Sequence, residues 1–272
     1  MNSLSVIGNI SRDRTRYPDD RGGEQLGGAA LLVSLAAARA GTAAAPVAVV
    51  GRDLQDLPGA VIVDGLDWSA LHVSEDSSTA FTLDYDAHGQ LLAVDAQYGA
   101  PRAGTSHALD RIANHPGHVY HLCCRRPLDV AALLHALDSC SAQFSLDFFL
   151  TSAEQMMREA APWLTKATTV FVNAAEHRLL AQVAAIADLA EVVVTDGPRP
   201  VRVYRWGRPA AEVYPPDPVY GEVTGAGDTL AGTYLAYRAQ GATPEIALPA
   251  AAAAAAAHIS APPLPLPAPR RP

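Results

Sequence analysis

Short apolar runs recur along the chain at 4–7, 46–50, 119–123, 144–147, 170–172 and 192–195. Runs this short and continuous are expected of strands covered on both faces, as in a parallel sheet. Between them, segments 29–40, 128–138, 152–161, 175–187 and 228–239 space their apolar residues as helices do. The alternation predicts a three-layer α/β/α fold with a mostly parallel central sheet. Residues 79–95 break the rhythm. Two runs rich in Thr, Phe, Leu and Val flank Asp86-Ala87-His88-Gly89, which is a hairpin signature. The spacer from Gly51 to Thr79 is short.

The end of the chain has a different texture. Thr243-Pro244-Glu245 would start a helix as N-cap, N1 and N2. Pro249 would then sit in its interior at a cost of about 3 kcal/mol, so a start or kink at Pro249 is expected. Eight alanines, 250–257, then give strong helix propensity with little packing volume. From Pro262 the chain is proline-rich and is expected to be disordered. This divides the chain into one domain over 1–260, with the hairpin inserted, and a tail over 261–272.

At 272 residues and 49% hydrophobic content, one large domain can bury a full core. The net charge of −8 argues against a general nucleic-acid binder. No apolar stretch is long and charge-free enough to span a membrane, and the first residues lack a secretion signal. The three cysteines, two of them the neighbours Cys123 and Cys124, show no metal-ligand spacing, so reduced thiols in a cytoplasm are expected.

Chemistry concentrates in Glu222-Val223-Thr224-Gly225-Ala226-Gly227-Asp228-Thr229. Small residues let backbone approach a ligand, and free amides at a helix start favour an anion. A carboxylate there is stabilised by the helix dipole. One loop thus offers an anion cradle beside a base, as phosphoryl transfer to an alcohol requires. Read without its context, Asp228 is equally a helix cap.

Two further pieces stand upstream in order: Gly27-Gly28 before an alanine-rich helix, and Asn173-Ala174-Ala175-Glu176 after an apolar strand. With Gly225-Ala226-Gly227-Asp228, the chain resembles the ribokinase-like family of carbohydrate and nucleoside kinases, also called the phosphofructokinase B family. The resemblance runs from about residue 6 to about residue 260. It implies ATP-dependent phosphorylation of a hydroxyl on a small sugar or sugar-like substrate. ATP, Mg²⁺ and, in part of the family, a monovalent cation are the implied cofactors. The hairpin would be a lid over the substrate, and two lids would pair in a homodimer. No nucleic-acid or membrane partner is implied.

The resemblance also implies roles. Asp228 would be the general base, and Gly225, Ala226 and Gly227 the anion hole. Asp13, Gly27, Gly28, Leu32, Phe81 and Arg125 would face the substrate. Asn173, Thr195, Gly197 and His258 would meet ATP, and Glu176 would act on Mg²⁺ through water. Each has a plainer structural reading. Asp13 would be a solvated loop acid, the glycine pair a tight turn, and Arg125 with Arg126 a solvated pair. Asn173 and Glu176 would form a capping box, and His258 would neutralise a helix end.

Four positions depart from the family pattern. Leu32 stands where an asparagine usually binds sugar hydroxyls, Glu222 where aspartate is usual, and Pro200 where a glycine is usual. The glycine–alanine pair after the last helix is missing. Leu32 makes the substrate side less polar than a free-sugar site, and Phe81 or Tyr98 would stack on a base, so a nucleoside is the rival substrate. A non-catalytic ligand-binding relative is the rival of another class, with intact Asp228 against it.

Overall fold

The computed structural model describes residues 3–19, 21–149, 151–216 and 221–267. In chain order the elements are β1 (Leu4–Ile7), β2 (Ser11–Arg16), β3 (Glu24–Gly27), α1 (Ala29–Arg39), β4 (Ala44–Gly51), β5 (Leu71–Ser74), β6 (Thr79–Tyr85), β7 (Leu91–Gln97), α2 (Gly104–Asn114) and β8 (Val119–Cys124). They continue with α3 (Val130–Ser139), β9 (Phe144–Phe148), α4 (Ala153–Ala160), β10 (Val170–Asn173), α5 (Ala174–Val183), β11 (Val192–Asp196), β12 (Arg199–Arg205), β13 (Arg208–Val213), α6 (Ala226–Ala239) and α7 (Pro244–Ser260).

Among the described residues, nine strands form one sheet in the order β13-β12-β11-β10-β9-β8-β1-β4-β5. The run from β11 to β5 is parallel, and β12 and β13 add an antiparallel edge. Buried side chains divide between two helical layers. On one face α1, α6 and α7 pack over residues such as Val6, Phe171 and Val193. On the other, α2, α3, α4 and α5 pack over Ile7, Tyr120 and Leu146. The three-layer α/β/α arrangement is the expected one, and each of the six apolar runs is a strand of this sheet.

A second sheet, in the order β3-β2-β6-β7, stands apart from the first. The expected hairpin supplies β6 and β7, but β2 and β3 carry no apolar alternation that would announce them. The reason lies in β2. Its inward residues, Ser11, Asp13 and Thr15, are polar, while Arg12, Arg14 and Arg16 point outward. Asp13 is therefore a buried strand residue and not a solvated loop acid. Helix α2 and the strands β5, β12 and β13 also lie outside the sequence expectations.

The start of α7 differs too. It begins at Pro244 and carries Pro249 inside. Pro249 is exposed, so water reaches the Glu245 carbonyl that loses its partner. Ala247, Leu248, Ala251 and Ala252 are buried in the core on the opposite face, which offsets the cost. Beyond this helix, residues 262–267 do not form the disordered tail expected. The Leu26 amide of β3 donates to the Leu264 carbonyl at 2.8 Å, and Leu264 and Leu266 pack against the core. Residues 268–272 lie outside the described residues.

Candidate active site

The parallel strands β1, β8, β9, β10 and β11 all point their C-terminal ends into one cleft of about 990 Å³, roofed by β2, β6 and β7. This is where an open α/β sheet is expected to bind ligands. Helix α6 enters from below with Gly225 as its N-cap, at φ 85° in the left-handed region. A side chain on Gly225 would strike Leu32, whose Cδ1 lies 2.4 Å from the position a Cβ would take. Glycine is thus required twice, for conformation and for space. The Ala226 amide donates to the Val223 carbonyl. The amides of Gly225, Gly227 and Asp228 have no protein acceptor among the described residues, which leaves them for an anion.

Asp228 lies in the first turn of α6 and faces Arg125, whose Nη2 is 3.7 Å from its Oδ1. The same Nη2 donates to Asp147 Oδ2 at 2.5 Å. Arg125 is 14% exposed, so it is no solvated cation. Burial works against its charge, yet Asp147 and Asp228 outweigh burial and hold its pKa above the usual range. Burial pushes Asp228 and Asp147 upward, and Arg125 opposes both. Arg126 is the exposed member of the pair and donates to Gln155.

Asp147 was not singled out by sequence. It ends an apolar strand, and only the pairing of Cys123 with Asp147 brings it under Arg125. The same register gathers His121, Cys123 and Asp147, whose ligating atoms lie within 4.8 Å of one another. Arg125 already neutralises Asp147 there.

The opposite wall comes from β1 and the roof sheet. Asn9 Oδ1 is buried without a partner, and Asp13 accepts from Ser11 Oγ at 2.6 Å. Burial raises Asp13 to about 7, with Ser11 opposing. A Cβ on Gly27 would stand 1.9 Å from Asp13 Oδ2, and one on Gly28 would stand 2.4 Å from the Asn9 carbonyl. The glycine pair makes room for this polar wall. Leu32, Phe81, Leu83, Tyr85 and Tyr98 complete the lining, with Phe81 and Tyr98 edge to face at 6.1 Å between centroids.

At the far end, Asn173 and Glu176 form the full capping box of α5. Asn173 Oδ1 accepts from the Ala175 and Glu176 amides, so the group it has left for the cleft is its side-chain NH₂. Glu176 Oε2 accepts from the Asn173 amide at 2.8 Å, which leaves Oε1. Burial raises Glu176 to about 7 despite that bond. Thr195 and Gly197 line the same end, where Gly197-Pro198 turns β11 into β12. Capping and a place in the cleft thus coexist.

The sequence matches the profile of the pfkB family of carbohydrate kinases over residues 1–269. The chain belongs to this family. It is 26% identical over 259 residues to a cytidine kinase of Thermococcus kodakarensis, covering 89% of this chain and 90% of that one. Among solved structures, a Burkholderia thailandensis nucleoside kinase in complex with inosine superposes with a TM-score of 0.74 at 16% identity, covering 96% and 92% of the two chains. A ribokinase II from E. coli in complex with ATP and Mg²⁺ gives 0.77 at 17% identity, covering 97% and 94%.

The kinase brings most of the residues implied by the resemblance into one cleft. Asp13, Gly28, Leu32, Phe81, Arg125, Asn173, Glu176, Thr195, Gly197, Gly225, Gly227 and Asp228 all line it. Three do not. Gly27 lies behind Asp13, and Ala226 turns its amide away. His258 stands beneath the 225–228 loop, where its Nε2 donates to the Thr224 carbonyl at 2.7 Å. His258 is therefore a support of that loop, not a wall of the cleft. Asn9, Asp147 and Tyr85 are lining residues that the sequence reading missed, and Asn9 carries no motif that would reveal it.

Proposed function

We propose that this kinase phosphorylates the primary hydroxyl of a nucleoside. The observation that carries this is the split character of the acceptor wall. Asn9, Ser11 and Asp13 offer a compact polar strip, while Leu32, Phe81 and Tyr98 offer an apolar and aromatic surface. Two neighbouring ribose hydroxyls fit Asp13 and Asn9 as donors, and a flat base fits the aromatic surface. A cytidine kinase and an inosine-bound nucleoside kinase among the relatives support the reading.

Asp228 accepts the proton of the attacking hydroxyl, and the amides of Gly225, Gly227 and Asp228 stabilise charge on the transferred group. Arg125 opposes the burial that raises the Asp228 pKa. Asp13 orients the sugar, and the roof sheet excludes water. ATP supplies the phosphoryl group and Mg²⁺ its charge compensation. Glu176 Oε1 and the Asn173 NH₂ are the groups free to meet them, and an oxygen donor left over from a capping bond fits a metal that keeps most of its waters.

A panel of nucleosides, free sugars and aminosugars, assayed with ATP and Mg²⁺, tests the acceptor. Nucleosides are expected to exceed free ribose in kcat/KM by at least about tenfold, the value of a modest apolar contact. Free sugars as the better acceptors would remove this reading.

The Glu176 role has its own test. Glu176→Gln keeps an oxygen for the Asn173 amide and removes the charge. The Mg²⁺ concentration for half-maximal rate should rise by roughly tenfold, as for other groups that act just outside a metal's own ligands. An unchanged Mg²⁺ profile with a lowered melting temperature would leave Glu176 as a cap alone.

A further inference from the structure

Glu222 stands three residues before Gly225 and is 6% exposed. Its carboxylate takes three donors. Thr15 Oγ1 reaches Oε2 at 2.5 Å, and the Tyr17 hydroxyl reaches Oε1 at 2.7 Å. The third donor is the Thr224 amide, at 2.9 Å from Oε1. Thr15 belongs to β2 of the roof sheet and Tyr17 follows it, so the carboxylate joins that sheet to the segment that leads into the anion-binding amides.

More contacts run the same way. The Val223 amide donates to the Tyr17 hydroxyl oxygen at 3.2 Å. The Tyr17 ring stacks on Tyr85 with centroids 4.9 Å apart, and the Tyr85 hydroxyl lies 2.9 Å from Thr224 Oγ1. Arg21 caps the Tyr17 face at 4.3 Å and donates to the Ala87 carbonyl in the hairpin tip. At Gly89 of that tip, a Cβ would come within 2.9 Å of Val223 Cγ1. Each of residues 222, 223 and 224 is thus held by the roof sheet from above, and His258 holds the Thr224 carbonyl from below. Burial, together with the Glu222 bond, keeps the Tyr17 phenol protonated as a donor.

Side-chain length decides why the acid is glutamate. An aspartate is shorter by one methylene, about 1.5 Å. It would still reach the amide two residues on, as in an Asx turn, but not the two hydroxyls across the gap.

We propose that Glu222, acting through Thr15 and Tyr17, is a positioning residue for phosphoryl transfer. It sets the backbone that precedes the Gly225, Gly227 and Asp228 amides only when the roof sheet is seated over the acceptor. Closure over the substrate and assembly of the anion site then become one event. This rests on the reading of 225–228 as the transfer loop, which Asp228→Asn decides separately. A mere structural staple would lower the melting temperature and leave kcat alone. A positioning role lowers kcat and spares KM.

Tyr17→Phe keeps the ring stack and removes one hydroxyl, and Glu222→Asp keeps the charge and shortens the reach. Each is expected to lower kcat by about tenfold, the equivalent of one or two net hydrogen bonds, with both KM values within about threefold. All rates are read well below each variant's melting temperature. The double variant should be no slower than the slower single, because both break one link. Should Glu222→Asp fail to fold, Thr15→Val takes its place in the cycle. Single variants that keep kcat within about twofold, or losses that multiply in the double, would overturn the coupling. If Asp228→Asn loses its rate while Tyr17→Phe keeps it, the coupling alone is wrong. Were Asp228→Asn to keep its rate, the transfer-loop reading would fail first.

Discussion

Asp228→Asn should lower kcat by at least about a hundredfold, the lower end of what removal of a general base costs. The substitution keeps the shape of the side chain and an oxygen for the helix start. It removes the proton acceptor next to the free amides of Gly227 and Asp228. The melting temperature should change little, because burial disfavours the aspartate charge and the neutral amide escapes that penalty. Binding of ATP, measured by calorimetry without acceptor, should be nearly unchanged. A variant that retains most of its kcat would refute the mechanism. One that binds neither ATP nor acceptor while still folded would show that Asp228 shapes the cleft and does no proton chemistry.

Arg125→Met should be the most destabilising single change at the site. Arg125 is the cation between two buried acids, at 2.5 Å from Asp147 and 3.7 Å from Asp228. Its removal leaves Asp147 charged and unpaired under the cleft, and breaking such a pair typically costs about 3–5 kcal/mol. Chemical denaturation should show a fall of that size. Asp147→Asn in the same background should recover most of it, because the residual charge is then gone. Activity has a separate signature. Without Arg125 the largest opposition to the burial of Asp228 is lost, so its pKa rises further and the lower limb of the pH–rate profile moves to higher pH. Denaturation midpoints within about 1 kcal/mol of the parent would mean that Asp147 is already neutral in the native protein.

The α/β core was legible because parallel strands buried on both faces must be apolar throughout, and six such runs mark six of the strands. The three motif pieces were legible as a set, and they meet in one cleft because each follows a strand or opens a helix at the same edge of the sheet. What stayed hidden obeys other rules. Strand β2 buries Ser11, Asp13 and Thr15, so its inward face carries the polarity normally read as solvent exposure. Asp147 becomes part of the site only through its register against Cys123. His258 ends a helix, as its sequence suggests, but its ring points into the protein toward Thr224. Propensity alone favours a start or kink at Pro249, but the helix begins at Pro244, because the buried residues on its other face offset the cost of the proline. Capping and ligand contact at Asn173 and Glu176 were posed as rivals, whereas opposite atoms of the same side chains are available for each.

The bond between the Leu26 amide and the Leu264 carbonyl has a temporal side. During synthesis, every strand among the described residues of both sheets has been made once residue 213 is out of the ribosome, and Asp228 follows soon after. The acceptor for Leu26, the Leu264 carbonyl, arrives only after all of these. A growing polypeptide can therefore assemble its large sheet and the 225–228 turn while the strand that ends at Gly27 still lacks its Leu264 neighbour. The β3 edge of the roof sheet is thus fastened by a segment that the ribosome delivers after both sheets and the 225–228 turn.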